Sequence, residues 1–229
     1  MTRLFFALLF TLLLAVAPVF TNAGVLDAIS SSDASAGVKE ALAKGADFAV
    51  STLGQNNGFL GNAKVKIPLP GYLEKAEKGL RLIGMGKQAD ELVDTMNHAA
   101  ENAVAEARPI LSDSIKKMTV KDAKDILTGG DDSVTQYFKR SSAEQLTQKF
   151  TPIVKSATAK LKLAEKYNAY AGKAASMGLI NAKDADINTY VTQKAMDGLF
   201  LIIAEEEKKL RDNPVAAGSA LLKKVFGAL

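Results

Sequence analysis

The chain has no cysteine, no tryptophan and a single histidine, His98, among its 229 residues. Without cysteine there are no disulfides, no thiolate zinc or iron–sulfur ligands and no thiol nucleophile. One histidine excludes a multi-histidine metal site and makes His98 the sole candidate for imidazole chemistry. Charge of one sign is also scarce: 29 Lys and Arg stand against 25 Asp and Glu, a formal +4. So small and evenly spread an excess lacks the clustered basic face of a nucleic-acid-binding domain, and no nucleic-acid partner is expected. Beyond residue 23 no apolar run approaches the about 18 residues that cross a bilayer, so no transmembrane segment is expected after signal cleavage. What remains is ordinary. A content of 48% apolar and 24% charged residues is that of a globular domain, and a chain of this length can bury about 70% of its unfolded surface without staples.

The first residues read as an address. Arg3 precedes an apolar run from Leu4 to Phe20, and Thr21-Asn22-Ala23 ends in a small residue before Gly24. That is the layout of a secretory signal. Residues 1–23 are therefore expected to be a cleaved signal peptide, leaving 24–229 as one periplasmic domain. The alternative is an uncleaved 4–20 segment anchoring the protein to the inner membrane, although 17 residues fall just short of a spanning helix. Outside the cytoplasm nucleotides are scarce, so nucleotide-like motifs carry little weight, and no cofactor or metal is expected.

Most of the remaining sequence has helical period. A helix capped by Ser35 is expected to run to about Leu53, and Gly54 suits its end. Residues 55–71 break the pattern. Asn57-Gly58 and Gly61-Asn62 are turn dipeptides, Lys64-Val65-Lys66-Ile67 alternates like a strand, and Pro68-x-Pro70 stops it. Irregular loops of that length are uncommon and more often functional than average; the favoured reading is a long ordered extended loop that pins Phe59, Leu60, Val65 and Ile67 to the core, with a functional loop as the alternative. Leu73, Ala76, Leu80 and Ile83 then share a helix face that stops at Gly84. Leu92, Met96, Ala99, Ala103, Ala107 and Ile110 continue at spacings of three and four, with Pro109 expected to break the helix. Thr119-x-x-Asp122 and Ser141-x-x-Glu144 read as capping boxes, and Thr151-Pro152 as an N-cap with proline at the first helical position. The last long helix is expected from about Asp184 to Arg211. After it, Pro214 opens a short terminal helix whose Leu221, Leu222, Val225 and Phe226, beside Lys223 and Lys224, offer an amphipathic surface-binding stripe. The sum is an all-α, single helical domain of about eight helices.

Several motifs appear in a fixed order: Gly58-Phe59-Leu60-Gly61, Ile67-Pro68-Leu69-Pro70, Asn97-x-Ala99-Ala100-Glu101, Met118-Thr119 with Asp122-Ala123, Gly129-Gly130-Asp131 with Tyr137-Phe138, and Asp197-Gly198-Leu199-Phe200. Together they resemble the bacterial exported family catalogued as domain of unknown function 4197, over essentially the whole mature chain. The resemblance implies an exported, helix-rich protein and supplies no activity, substrate or catalytic residue. His98 stands where that family is expected to carry Arg, so imidazole chemistry there is not implied for the family.

The candidate site residues are Asn97, His98, Glu101, Asp131, Asp132 and Tyr137. His98 shares a helix face with Asp94 and Glu101, which allows a carboxylate-oriented general base or simply a solvated imidazole beside acids. Asn97 and Glu101, four apart, either bind a ligand or hydrogen-bond a neighbouring segment. Gly129-Gly130-Asp131-Asp132 matches the Gly-Gly-Asp signature of nucleotide cyclases only superficially; helix end plus N-cap is the plainer reading, with a hard cation as the alternative. Asp184-x-Asp186-x-Asn188 lacks the glycine and terminal glutamate of a calcium loop. Gly84-Met85-Gly86 follows a helix, where a dinucleotide fingerprint needs a strand. With no intact catalytic set, the reading is a non-catalytic protein binding an apolar ligand, a partner protein or an envelope surface. The alternative is a metal-dependent or acid/base hydrolase using Glu101, His98 and the Asp131/Asp132 turn.

Overall fold

The structure is a computed structural model and describes residues 30–130, 132–181, 184–214 and 219–227. The expected signal peptide and Asp131 lie outside the described residues. Among those described there is no strand. The described residues form nine helices, in chain order α1 (Ser31–Leu53), α2 (Gly71–Leu82), α3 (Gly86–Ala105), α4 (Arg108–Lys117), α5 (Val120–Thr128), α6 (Ser133–Thr158), α7 (Lys162–Ser176), α8 (Ile187–Asp212) and α9 (Ala220–Phe226).

The two longest helices, α6 and α8, run antiparallel through the middle. Val134 meets Glu207 at one end, Thr147 meets Met196 midway and Thr158 meets Asn188 at the other. Both carry apolar stripes at helical spacing. Phe138, Leu146, Phe150 and Val154 of α6 face Val191, Ala195, Leu199 and Ile203 of α8, all buried. Helix α3 packs on both, and its Ala99, Ala100 and Ala103 are small enough to let the helix axes close up. Helix α1 covers the other side, contacting α8, α4, α5 and α9.

Local signals place most boundaries. Ser30 caps α1 by accepting the Asp33 N–H, five residues earlier than the Ser35 expectation. The Thr119–Asp122 capping box forms in full. Pro109 sits in the first turn of α4, where a missing N–H costs nothing, and the chain breaks just before it. Asp186 caps α8 through the Thr189 N–H.

The Thr151-Pro152 signal fails, and the reason is tertiary. Helix α6 passes straight through Pro152. Thr151 donates its hydroxyl back to the Thr147 carbonyl, and the expected Ser141–Glu144 capping box likewise lies inside the continuous helix, so neither signal starts a helix. Pro152 is exposed, while Phe150 and Val154 on either side of it are fully buried; their packing against the centre of the bundle overrides the local preference to stop. The helix ends instead at Thr158, and Leu161 precedes α7.

The expected surface-binding stripe at the C-terminus is also corrected. Leu222, Val225 and Phe226 of α9 are buried, and Val225 lies so close to Gly37 of α1 that a Cβ at position 37 would stand 2.6 Å from its Cγ2. That stripe belongs to the core.

Candidate functional site

Residues 54–70 cross the bundle without helix or strand. Phe59, Val65, Ile67 and Leu69 are buried and Leu60 half-buried, with Lys64 and Lys66 pointing out. The segment thus alternates as a strand does, yet no strand pairs with it. Its partner is a helix face.

The spacing of four puts Asn97 and Glu101 of α3 on the side toward this loop, where both are buried. Asn97 Oδ1 accepts the Ile67 N–H at 2.8 Å, and its Nδ2 donates to the Ile67 carbonyl at 2.9 Å and to the Val93 carbonyl at 2.8 Å. The side-chain amide therefore serves both polar groups of Ile67, as a neighbouring strand would. One turn on, Glu101 Oε1 accepts the N–H groups of Phe59 at 3.0 Å and Leu60 at 3.1 Å. Its Oε2 lies 2.7 Å from His98 Nδ1. Buried backbone donors need partners, and a buried carboxylate needs several; this arrangement meets both needs at once. His98 is partly exposed, its side chain at 43%, so its Nε2 edge is within reach of solvent. A carboxylate fixing Nδ1 is the orienting half of an acid–base pair, but here the same carboxylate also holds the loop.

The other candidate residues stand elsewhere. Tyr137 is buried and donates its hydroxyl to the Ser114 carbonyl at 2.6 Å, tying α6 to α4; burial pushes that phenol up. Asp132 occupies the N-cap position of α6 without capping it and instead accepts from the Gln136 side chain at 3.1 Å. It lines an open hollow of about 560 Å³ with Lys121, Asp122, Asp125 and Arg140. That turn packs beside Glu207, whereas Phe59, held by Glu101, packs on Gly198. Nine residues of α8 separate the two, about 13 Å along its axis. The structure joins Asn97, His98 and Glu101 and leaves the α5–α6 turn apart from them. Among the described residues, no group of three or more His, Asp or Glu converges as a metal site.

Sequence reading missed a second polar cluster. Glu207 and Arg211 look like a solvated i,i+4 pair, yet Glu207 is buried and the Arg211 side chain is only 13% exposed. Glu207 accepts the Val134 N–H at the start of α6 and the Ser133 hydroxyl; Arg211 donates to Glu207 at 2.9 Å and to the Ile126 carbonyl near the end of α5 at 2.8 Å. The cap missing at Asp132 is thus supplied from a distant helix. Burial pushes the Glu207 carboxyl up, against the opposing pull of Arg211. One signal was available: Glu207 continues the buried Leu199–Ile203 row at a spacing of four.

The hollow lined by Ala41, Leu42, Ile203, Leu210 and Phe226 holds about 10 Å³, room for one water at most. Larger hollows open at the surface: about 400 Å³ between α2 and α3, with Glu74, Glu77, Asp90 and Asp94, and about 380 Å³ along α7. No helix among the described residues is long and apolar enough to cross a membrane.

An all-α bundle closed over a strand-like loop, which one helix clamps with an amide and a carboxylate, is the class that fold and site define. The chain belongs to the family described as Protein of unknown function (DUF4197), whose model matches residues 28–227. No curated protein and no solved structure matches it.

Proposed function

We propose that this chain is an exported, non-catalytic helical module that works through its outer faces, binding a partner protein or an envelope surface. One observation carries the reading: the groups that chemistry would need are occupied in architecture. Asn97 and Glu101 spend their buried polar atoms on Ile67, Phe59 and Leu60. An apolar ligand has less support: among the described residues, the mostly apolar hollow beside Leu42 and Phe226 accommodates about one water. The hydrolase alternative has the 2.7 Å His98–Glu101 contact in its favour. Against it, the Asp132 turn lies too far along α8 for both to touch one substrate atom.

The test is native mass spectrometry and N-terminal sequencing of protein purified from its own periplasm. The expected result is a bare polypeptide beginning at Gly24. A stoichiometric small molecule or metal ion on the folded chain would return the protein to the ligand-binding or enzyme class. A chain retaining residues 4–20 in the membrane fraction would replace cleavage with anchoring.

A further inference from the structure

Two helices lie at the edge of the bundle, and both are moored at the first turn of α8. The Tyr190 hydroxyl donates to the Pro68 carbonyl just before α2, and the Ile187 N–H donates to Asn168 of α7. Four of the large apolar side chains the protein exposes sit at the far ends of these two helices: Leu82 and Ile83 where α2 ends, Met177 and Leu179 after α7.

Helix α7 buries one side, Leu163, Ala164, Tyr167 and Ala171, against α3 and α8. Its outer side is different. Lys162, Lys166, Tyr170, Lys173 and Met177 follow at spacings of 4, 4, 3 and 4, which places them within a sector of about 80° at 3.6 residues per turn. All five are exposed, Tyr170 at 68% and Met177 at 72%. The three lysines form no salt bridge among the described residues, and Glu165 is the one acid that shares their shallow groove. The chain then turns through Gly178, whose φ of +73° suits glycine, and presents Leu179 at 70% exposure.

We propose that this face docks on an anionic phospholipid surface, with the lysines at the headgroup phosphates, Tyr170 at the interface and Met177 and Leu179 entering the acyl boundary. The inference rests on the surface-working reading above and names the surface. Charge complementarity selects an anionic partner. The apolar tip beyond the lysines selects a bilayer, because a helix that lies on a membrane combines a basic flank with apolar residues that insert. The rival partner is the acidic α2–α3 groove of a second copy. There, however, Arg81 already bridges Glu77 and Asp90 at 2.8 and 2.6 Å, and joining two different faces of one chain makes an open-ended polymer rather than a closed dimer.

The experiment is vesicle co-sedimentation of the full mature chain. It compares pure phosphatidylcholine vesicles with equal mixtures of phosphatidylglycerol and phosphatidylethanolamine, at low and physiological salt. Binding is expected to the anionic vesicles alone and to weaken with salt. The triple variant K162Q/K166Q/K173Q is expected to bind about a hundredfold more weakly, and M177S/L179S several-fold more weakly, both with unchanged circular dichroism and melting temperature. Absence of binding to anionic vesicles at low salt overturns the proposal, as does binding that the triple variant leaves intact. Self-association in sedimentation velocity that the lysine variant abolishes, without vesicle binding, would transfer the face to a second copy. A retained small molecule in native mass spectrometry would sink the surface-working reading without touching the vesicle result, so the two failures are distinguishable.

Discussion

The ring of Phe59 rests on Gly198 so closely that a Cβ at position 198 would stand 2.6 Å from its Cε1. The loop therefore reaches the middle of α8 only because that helix has no side chain there. Glu101 holds the Phe59 N–H from the opposite side at 3.0 Å. Loop, α3 and α8 thus meet at one aromatic ring.

Gly198→Ala should destabilise the protein, although alanine is the better helix former. The added methyl overpacks the ring, at a cost of about 1–3 kcal/mol, against a helix-propensity gain of up to about 1 kcal/mol. A thermal melt measures the balance. An unchanged or raised melting temperature would mean that Phe59 does not pack on α8 as described.

Glu101→Ala leaves the N–H groups of Phe59 and Leu60 without their acceptor, each worth about 1–3 kcal/mol when buried. Glu101→Gln keeps an acceptor and should cost less. His98→Ala removes the more exposed half of the pair and should cost under about 1 kcal/mol. Urea denaturation ranks the three, and amide hydrogen exchange should show Phe59 and Leu60 losing protection in the alanine variant. If His98→Ala matched Glu101→Ala, the clamp would be the wrong account of this carboxylate.

Arg211→Ala strands the buried Glu207 carboxylate and frees the Ile126 carbonyl, a loss of about 3–5 kcal/mol for a broken buried pair. Glu207→Gln, still able to accept from Val134, should be milder, because burial already pushes that carboxyl toward its neutral form. Equilibrium unfolding of both variants checks the order.

Pro152→Ala should raise stability. Residue 152 is exposed inside a continuous helix, so alanine restores a donor at a position where proline costs about 3 kcal/mol. Part of that gain is offset by the freer unfolded chain. A lower melting temperature would show that the proline helps shape α6.

Alkaline pH should loosen the end of the bundle where α7 meets α8. The hydroxyls of Tyr167 and Tyr190 are each pushed up to about 12, first by burial and then by the Asp184 charge. A raised folded value means that the folded state holds its protons longer than the unfolded chain. The associated stability is complete below the ordinary tyrosine value of about 10 and is lost as pH climbs from there to about 12. Each shift corresponds to about 2–3 kcal/mol. Tyrosinate absorbance and circular dichroism followed together should show the two hydroxyls ionising with unfolding. Titration of both near pH 10 in the folded state would contradict their burial.

Much of this protein could be read from local chemistry. Helical period, the Thr119–Asp122 capping box and Pro109 all act within one turn of chain, so residue order alone makes them legible. The strand-like alternation of residues 64–67 was legible too, and so was the four-residue spacing of Asn97 and Glu101. The ordered motifs point to the same family whose model matches residues 28–227.

What no local rule contains is which surfaces meet. Helix α6 runs through Pro152 because Phe150 and Val154 bury their side chains on α8. The terminal stripe of Leu222, Val225 and Phe226 closes the core because Gly37 admits Val225. Asn97 and Glu101 bind the loop because folding carries it across their face, and Glu207 caps α6 from 73 residues away. Backbone preferences and caps are properties of neighbours in sequence. Burial, and with it the partner of every buried polar group, arises only when distant segments exclude water together.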